Sequence, residues 1–413
     1  YTHSVAAYMP SLLKFPRTVE TFLPGGLPPA PELPSRLPQR ALAESLRQIA
    51  RDGGESFYRG EIAESIVSEV QDGGGILSRQ DLANYRPDVG ASLSRPYRDV
   101  EVHAPAAPGG HWTELQILQL MNQFDLRGSG HNTPETLHSL IEASRLAFQD
   151  RYYHLADPDF EPVPLQGLLS ESYAKELVGL VDPSRARPYD DDPQEPWGRY
   201  AFRAEHDPWR HDAAGRAPKV FREGADVATG GTTHFCAVDS DRMLVSCTHT
   251  AAHNFGAKFL TTTGIHVHAG MNWFTAMPGA ANSIAAGKRP LCNMGPVLVT
   301  KNGKPYMALG APGGRRIMEC VVQILSNVVD HGMSMQAACS APRMDASSRT
   351  TYFDDRLDSS VVGRLESMGH RMEGIFEDAV GYEFAHPTSI LVGDDGFVRC
   401  GVDPFRKMWA AGY

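Results

Sequence analysis

The sequence predicts an α/β or α+β protein, because strand and helix patterns interleave along its second half. The chain has 413 residues, of which 42% are hydrophobic and 21% charged, proportions typical of globular proteins. Its formal net charge is −10, which disfavours nucleic acid and anionic membrane surfaces as partners. No run of about 20 apolar residues is present, so no transmembrane helix is predicted.

Helical periodicity dominates residues 1–180. Apolar residues from Leu42 to Ala50 fall on one helix face, and Gly53-Gly54 is expected to end that helix. The pattern repeats from Ile62 to Val70. Two further amphipathic helices are predicted over Trp112–Asn122 and Pro134–Tyr153, with Thr133 as the N-cap of the second, and a short strand over Tyr97–Val102.

Residues 184–228 have a different composition, with an acidic run at Asp190-Asp191-Asp192, several prolines and few aliphatic residues. This composition predicts a linker or mobile tail.

Strand patterns begin directly after this segment. A hairpin is predicted from Thr233–Val238 and Met243–Thr248, joined by the polar turn Asp239–Arg242. Further strands are predicted at Gly264–His268, Pro296–Thr300, Tyr306–Leu309 and Ser389–Val392, and helices at Ile317–Asp330 and Leu357–Met368.

Cysteine usage limits the possible metal and disulfide chemistry. The six cysteines show no CxxC spacing, which excludes a zinc ribbon and a dense disulfide framework; they are Cys236, Cys247, Cys292, Cys320, Cys339 and Cys400. Free thiols suit a reducing compartment, so a cytoplasmic location is expected.

The most informative point is the junction Gly231-Thr232, where the acidic segment meets the first strand. The Thr232 hydroxyl could attack the unhindered Gly231 carbonyl and release a new N-terminal threonine. Its α-amine, with a pKa of about 8, could then act as base for its own hydroxyl. The alternative is an ordinary Gly-Gly turn that leads into a hairpin.

Motifs in both halves of the chain bear on this choice. The second half contains Thr232-Thr233-His234-Phe235, Ser246-Cys247-Thr248-His249-Thr250, Lys288-Arg289-Pro290-Leu291, Gly310-Ala311-Pro312-Gly313-Gly314 and Ala341-Pro342-Arg343. The first half contains Phe57-Tyr58-Arg59-Gly60, Pro108-Gly109-Gly110 and Asp157-Pro158-Asp159-Phe160. In this order the motifs resemble the γ-glutamyltranspeptidase family of N-terminal-nucleophile (Ntn) hydrolases.

The resemblance implies a four-layer αββα sandwich and a precursor that cuts itself in two. Residues 1–231 would form the large-subunit portion and residues 232–413 the small subunit. The two fragments would stay associated as one Ntn-hydrolase domain. The family uses no metal and no cofactor, and its substrates are small molecules. It also has an N-terminal portion with a carboxylate-binding arginine, for which this sequence shows no counterpart.

The family's catalytic roles can be carried over residue by residue. Thr232 matches the nucleophile, and Thr250 matches the threonine whose hydroxyl positions it. Gly313 and Gly314 match the pair whose N–H groups stabilise the oxyanion. A phosphate-binding loop is the rival interpretation of Gly310–Arg316, but the Walker spacing is absent.

The γ-glutamyl pocket does not carry over. Ala252 stands where the family has asparagine, Gly270 and Trp273 stand at its glutamine and aspartate, and Cys292-Asn293 replaces its Ser-Ser pair. A site built on hydrogen bonds loses its selectivity when those groups are lost. We therefore expect His253, Gly270, Trp273, Cys292 and Asn293 to line a different substrate pocket.

Several histidines lie close to these pocket positions in the sequence. They are His249, His253, His266 and His268, and the last two would share one face of a strand. Three interpretations stay open at this point: a metal site, hydrogen bonds from imidazole to an anionic or keto-acid substrate, and plain strand packing.

The function expected from the resemblance is hydrolysis of an acyl C–C or C–N bond in a non-glutamyl substrate. Within the family, the Arg-rich composition and the missing glutamate ligands are compatible with the branch that releases an oxalyl unit by C–C cleavage during 4-alkylproline biosynthesis, and this is the specific function expected. A γ-glutamyl hydrolase or transpeptidase acting on glutathione-like substrates is one alternative. An inactive, uncleaved binding protein is another.

Overall fold

The computed structural model describes residues 2–30, 36–189, 206–213, 231–276, 278–378, 384–406 and 408–412. These residues fall into two compact units. Unit 1 is Tyr1–Val89 with Thr250–Ala269, and unit 2 is Gly90–His249 with Gly270–Tyr413.

The elements are named in chain order. The helices are α1 (Thr2–Leu12), α2 (Pro16–Phe22), α3 (Arg40–Asp52), α4 (Glu55–Arg59), α5 (Glu61–Asp72), α6 (Arg79–Asn84), α7 (Gly110–Met121), α8 (Leu126–Ser129), α9 (Pro134–His154), α10 (Leu165–Leu168), α11 (Glu171–Val178), α12 (Arg316–Val329), α13 (Met335–Ser340) and α14 (Ser359–Ser367). Short 3-10 helices lie at Pro24–Gly26, Pro208–His211 and Gly270–Trp273.

The strands are β1 (Leu93–Tyr97), β2 (Val100–Ala104), β3 (Thr232–Val238), β4 (Leu244–Thr250), β5 (Val297–Lys301), β6 (Lys304–Gly310), β7 (Met344–Asp345), β8 (Thr351–Asp354), β9 (Met372–Ile375), β10 (Thr388–Val392) and β11 (Val398–Val402). They form a six-stranded sheet in the order β1-β2-β5-β6-β10-β11, the hairpin β3-β4 and the three-stranded sheet β7-β8-β9.

Unit 1 consists of helices α1 to α6 and the loop 250–269, which the helices hold by polar contacts. Thr18 Oγ1 donates to the Lys258 carbonyl at 2.8 Å, and Ser45 Oγ donates to the Thr263 carbonyl at 2.7 Å. The ring of Phe22 stacks on His266, with 5.1 Å between centroids. Gly53 ends α3 with φ +81°, as its position in the sequence predicts.

In unit 2, one face of the six-stranded sheet is covered by helices. Alternate residues of the central strands, such as Val297, Val299 and Leu309, are buried in one cluster with α7, α9 and α12. The antiparallel register pairs Val297 with Leu309 and Leu309 with Ser389, so these side chains share that face.

The hairpin β3-β4 packs on the opposite face of this sheet. Ser246 Oγ donates to the Leu309 carbonyl at 2.9 Å, and Cys236 Sγ donates to the Thr388 carbonyl at 3.6 Å. Gly310 lies so close to the His234 ring that a Cβ would be 2.3 Å from Cε1. Helices, a central sheet and a second β layer therefore follow one another, as the α+β prediction requires.

Helix α7 is buried on all sides, which differs from the predicted amphipathic helix. Every residue from Gly110 to Met121 is buried, including Glu114 and Gln116. The helix packs against α9, α11 and α12 as well as β1 and β2. Two of its polar side chains make internal hydrogen bonds: Gln119 Nε2 donates to the Pro96 carbonyl at 2.8 Å, and Gln116 Nε2 donates to Asp150 Oδ2 at 2.5 Å.

Two strand predictions are wrong. The strand predicted over Tyr97–Val102 spans the turn between β1 and β2, where Arg98 has φ +54°. The segment Gly264–His268 is a loop with one isolated bridge between Leu260 and His266. His268 is exposed and His266 is partly buried, so they do not share a strand face.

The predicted tail 184–228 falls partly outside the described residues. Where the structure describes it, the segment is packed. Ala186 N donates to the Met368 carbonyl at 2.7 Å, while His206 and Trp209 are 2% and 7% exposed. These buried side chains attach a segment whose mostly polar composition gave no sign of packing. Among the described residues, no helix is both long and apolar enough to cross a membrane.

Candidate active site

The predicted cleavage junction lies at the start of the hairpin. Gly231 has φ +139°, in the region that favours glycine, and Thr232 is the first residue of β3. Thr232 is partly buried. The bond between them therefore joins a backbone conformation suited to glycine to a regular strand.

The pleat of β3 determines the direction of the Thr232 side chain. Residues two apart on a strand share a face, so Thr232, His234 and Cys236 lie on one side of β3. His234 and Cys236 contact the six-stranded sheet at Gly310 and Thr388. The Thr232 side chain accordingly lies on the sheet-facing side of β3 with His234, and the predicted oxyanion turn follows Gly310 directly.

His234 fixes the start of this strand. Its Nδ1 lies 2.8 Å from Thr248 Oγ1 on β4, and its Nε2 lies 3.3 Å from Cys236 Sγ. Burial lowers the pKa of His234 to about 4, so the imidazole is neutral at pH 7. This neutral ring between β4 and Gly310 holds β3, the strand that Thr232 begins, against the sheet.

The turn that contains Gly313 and Gly314 requires glycine. Gly313 has φ +153°, and a Cβ there would lie 2.4 Å from the Ala385 Cβ. Gly314 has φ +63°, and its carbonyl accepts from the N–H of Ile317 as α12 begins. Two consecutive glycines at a helix start can present backbone N–H groups to an oxyanion.

Thr250 and His253 belong to unit 1. Thr250 Oγ1 accepts from the Ala252 N–H at 2.9 Å, so the hydroxyl anchors the loop that follows β4. Ala252 is buried with φ +71°, a conformation that asparagine adopts more readily than alanine. The His253 carbonyl accepts from the Gly256 N–H at 2.9 Å.

The remaining predicted pocket residues belong to unit 2. Gly270 is buried and begins the 3-10 helix that ends at the partly buried Trp273. The Trp273 carbonyl accepts from Asn282 Nδ2 at 2.7 Å. Asn282 Oδ1 in turn accepts from the Leu291 N–H at 3.0 Å, which ties this segment to the one that holds Cys292.

Cys292 and Asn293 are buried, and their polar atoms have partners within the chain. The Cys292 thiol donates to the Pro108 carbonyl at 3.3 Å, and Arg151 Nη2 donates to Asn293 Oδ1 at 2.7 Å. Arg151 Nη2 also reaches the Cys292 carbonyl at 3.1 Å. This pair is therefore held in place next to Gly109-Gly110, and Arg151 is the cation that binds it.

Four of the six cysteines are poor nucleophiles because their thiols are buried. All six are free thiols, as predicted. Burial raises the pKa of Cys236 and Cys320 to about 12 and that of Cys339 to about 11, and it also raises the pKa of Cys292. These thiols stay protonated at pH 7 and carry little thiolate.

Two buried groups among the described residues bring histidine and carboxylate atoms within 4.8 Å of one another: His138, Glu142 and His370, and Glu377, His386 and Asp403. In the first group His138 Nδ1 lies 2.7 Å from His370 Nε2, a hydrogen-bond distance. Arg145 Nη1 donates to Glu142 Oε1 at 2.7 Å. Each group thus combines potential metal ligands with an internal hydrogen-bond network.

Sequence reasoning assigned no role to His234 or to the side chains behind the glycine turn. His234 stands inside the Thr-Thr-His-Phe motif, and its alternation with Thr232 is the signal that could have placed it on the sheet-facing side. The residues behind the turn, His386 and Asp403, are distant in sequence from Gly313. The pairing of β10 with β6 and with β11 brings them there.

The sequence profile described as gamma-glutamyltranspeptidase matches residues 1–413. The chain belongs to the gamma-glutamyltranspeptidase family. The glutathione hydrolase proenzyme of Escherichia coli K12 is 31% identical over 386 residues, which are 89% of this chain and 60% of that protein. An acylase ACY 1 proenzyme from Pseudomonas sp. strain V22 is 31% identical over 363 residues, 87% and 59% of the two chains. The chain thus spans about three fifths of these relatives.

Solved structures share the fold. Cephalosporin acylase from Bacillus halodurans superposes with a TM-score of 0.82 and 24% identity, covering 99% of this chain and 69% of that one. A protein designated LmbA2991HD superposes with a TM-score of 0.77 and 20% identity, covering 97% and 72%. The predicted Ntn-hydrolase fold, a four-layer αββα sandwich, is confirmed.

Proposed function

We propose that this gamma-glutamyltranspeptidase family member is a self-processing hydrolase whose nucleophile is Thr232. The arrangement of the Gly231–Thr232 junction carries the proposal. Gly231 has a positive φ, and Thr232 opens a strand whose side chains face the sheet at Gly310, directly before the glycine turn. The curated relatives are named proenzymes, which agrees with cleavage at such a junction.

Self-cleavage would begin with attack of Thr232 Oγ1 on the Gly231 carbonyl carbon. As the peptide C–N bond breaks, the acyl group moves to the hydroxyl oxygen and the nitrogen becomes a free amine. Water then hydrolyses the ester, leaving a Gly231 carboxylate and an N-terminal Thr232.

The fragments would stay together because they share one sheet. Strands β1 and β2 belong to residues 1–231, whereas β5, β6, β10 and β11 belong to residues 232–413. β2 pairs with β5 through Glu101–Thr300, Val102–Val299 and His103–Leu298. Separating the fragments would break this ladder and expose the helix-facing core.

In turnover, the Thr232 α-amine would accept the proton of its own hydroxyl as the oxygen attacks a substrate carbonyl. The N–H groups of Gly313 and Gly314 would stabilise the oxyanion. Loss of one such donor costs about 3 kcal/mol of transition-state stabilisation. The leaving group would depart with a proton, and water would hydrolyse the acyl-threonine.

The substrate we propose is not a γ-glutamyl compound. The positions that hold glutamate in the family carry Ala252, Gly270, Trp273, Cys292 and Asn293. The Cys292 thiol donates to the Pro108 carbonyl, and Asn293 Oδ1 accepts from Arg151. The Escherichia coli glutathione hydrolase proenzyme and the acylase ACY 1 proenzyme both match this chain at 31% identity, so family membership leaves the acyl group open.

Our specific candidate is release of an oxalyl unit by hydrolytic C–C cleavage, as in 4-alkylproline biosynthesis. Attack on a ketone next to an electron-withdrawing carbonyl gives the same tetrahedral oxyanion as attack on an amide. The carbon leaving group then takes a proton, and water completes the hydrolysis. Cleavage of an amide C–N bond uses the same groups and is the alternative within this proposal.

The names of the relatives favour a second candidate, a γ-glutamyl hydrolase or transpeptidase that acts on glutathione-like substrates. An uncleaved binding protein is the third possibility.

The first experiment is intact mass analysis of the purified protein under denaturing conditions with N-terminal sequencing, alongside Thr232→Ala. A fragment that starts Thr232-Thr233-His234, absent from the variant, supports self-processing, whereas an uncut wild-type chain overturns it.

The substrate class is tested next with γ-glutamyl-p-nitroanilide and an α-keto acid panel. We expect no turnover of the γ-glutamyl compound and release of oxalate from an oxalyl ketone. Rapid release of p-nitroaniline with normal saturation would instead establish the glutamyl hydrolase. Thr232→Ala gives the baseline for both assays.

A further inference from the structure

The glycine turn is supported from behind by the start of the segment that leads into β10. Ala385 contacts Gly313, where a Cβ would lie 2.4 Å from the Ala385 Cβ and 2.5 Å from its Cα. The His386 N–H donates to the Pro312 carbonyl at 2.9 Å. The positions of Ala385 and His386 therefore determine the position of the turn.

The His386 side chain has a defined hydrogen-bonding state. Arg406 Nε donates to His386 Nε2 at 3.1 Å. Since a guanidinium can only donate, Nε2 is the acceptor, and a neutral ring carries its hydrogen on Nδ1. That Nδ1 lies 3.6 Å from Asp403 Oδ2 and 3.7 Å from Glu377 Oε1. Burial, which lowers the pKa of His386, favours the same neutral form.

Asp403 is itself held firmly. Its Oδ1 accepts from the N–H groups of Phe405 and Arg406, at 2.9 and 3.1 Å. Its Oδ2 accepts from Arg343 Nη2 at 3.1 Å, and the same Nη2 reaches the Ala385 carbonyl at 3.3 Å. The buried Arg343 thus links Asp403 to the main chain that touches Gly313.

A metal centre is the competing interpretation of this cluster, because atoms of Glu377, His386 and Asp403 lie within 4.8 Å of one another. The cluster already contains cations. Arg343 Nη2 lies 3.6 Å from Glu377 and 3.1 Å from Asp403, so a guanidinium already faces both carboxylates, and Arg406 donates to the other imidazole nitrogen, Nε2. The charges and donors fit a hydrogen-bonded support better than a divalent ion.

We propose that His386 is a positioning residue for the oxyanion turn. Its main chain holds Pro312, its neighbour Ala385 packs on Gly313, and its imidazole is fixed by the Arg406 donor. This inference rests on the proposed function, which assigns the Gly313 and Gly314 N–H groups to the oxyanion. Such donors lose their effect when they move away from the oxyanion by a small distance.

The test compares His386→Leu with His386→Gln in the full chain. Both side chains occupy similar space, but only glutamine offers Arg406 an acceptor. The probe is p-nitrophenyl acetate, whose small acyl group requires no specificity pocket, and Thr232→Ala gives the background rate. The matched control is His331→Leu, a partly buried histidine just after the opposite end of α12.

We expect His386→Leu to lower kcat about 10-fold or more with KM nearly unchanged, and His386→Gln to recover most of that loss. The control should keep the wild-type kcat. A wild-type kcat in His386→Leu, or equal losses in both variants, would overturn the inference, because side-chain volume alone would then explain the effect.

If His386→Leu does not fold, Arg406→Met removes the donor of the same hydrogen bond and tests whether that bond positions the turn. A 10-fold lower kcat supports the role of His386, and an unchanged kcat refutes it. The two proposals fail in different ways. An uncut wild type with only the Thr232→Ala ester rate overturns both, whereas an active wild type with an unaffected His386→Leu overturns the positioning role alone.

Discussion

Asp150 allows a pH-dependent prediction with a worked magnitude. The carboxyl is fully buried, and burial raises its pKa from 3.8 to about 7. Hydrogen bonds from Gln116 Nε2 at 2.5 Å and from the Tyr173 hydroxyl at 3.0 Å act in the opposite direction, but they do not offset the desolvation. The ionised carboxylate is therefore a destabilising group in the folded state.

The sign of the effect follows from proton linkage. Because the folded pKa lies above the unfolded value, the folded state holds the proton more tightly, and stability falls as pH rises from 3.8 to about 7. Three pKa units correspond to about 4 kcal/mol, of which about 3 kcal/mol is lost between pH 5 and pH 8. A neutral amide at position 150 does not lose this free energy.

The experiment is Asp150→Asn, compared with the wild type by urea unfolding at pH 5, 6, 7 and 8. The difference in unfolding free energy should move in favour of the variant by about 3 kcal/mol across this range. The control is Asp395→Asn, whose exposed carboxyl has its pKa lowered to about 2 by Arg399. A pH-independent difference for Asp150→Asn would refute the raised pKa and the desolvation argument.

Three other substitutions test the geometry of the site and its scaffold. Gly313→Ala places a Cβ against Ala385 at a positive φ, so ester hydrolysis should fall about 100-fold, measured as kcat against the wild type. Gly310→Ala forces a Cβ into the His234 ring, and a mass time course should show slower formation of the Thr232 fragment; an unchanged rate would count against His234 as a support. Trp209→Ala should cost about 3 kcal/mol of unfolding free energy, and a loss near zero would contradict the observed burial.

The positions of long helices were predictable because apolar residues recur through several turns, although α9, predicted to be amphipathic, is buried on almost all sides, as α7 is. Helices α9 and α12 lie where the pattern placed them, and Thr133 caps α9 through a 3.3 Å bond from the Thr136 N–H. The hairpin β3-β4 was also predicted, since its alternation is interrupted only by polar turn residues. In these elements the local pattern and the tertiary packing agree.

Segments whose backbone departs from the preferred conformation of their residues were not predictable. The loop 250–269 contains Ala252, Phe255 and Lys258 at positive φ, a region that non-glycine residues rarely occupy. Contacts with α2, α3 and α5 hold this loop in place, and no local pattern encodes them. The strand predicted at Gly264–His268 failed for that reason.

In the candidate site too, the parts with a local sequence motif were predicted, and the parts that depend on distant contacts were not. The Thr232 and Gly313-Gly314 motifs are local sequence signals, and the structure gives each of them a conformation suited to its predicted role. The supports of these motifs come from distant parts of the chain: Thr248 for His234, Ala385 for Gly313 and Arg406 for His386. A single sequence carries no sign of those pairings.

The two glycine contacts explain how this chain can keep its proposed catalytic groups while its pocket residues differ. Gly310 against His234 fixes the nucleophile strand, and Gly313 against Ala385 fixes the oxyanion turn. Both contacts lie within unit 2, and neither uses a predicted substrate-binding residue. If Trp273 and Cys292 bind the acyl group as proposed, substitutions there would leave these two contacts of the proposed catalytic groups in place. Because the predicted substrate-binding residues are separate from the contacts that hold Thr232 and the glycine turn, we expect the substrate to change more readily than the nucleophile.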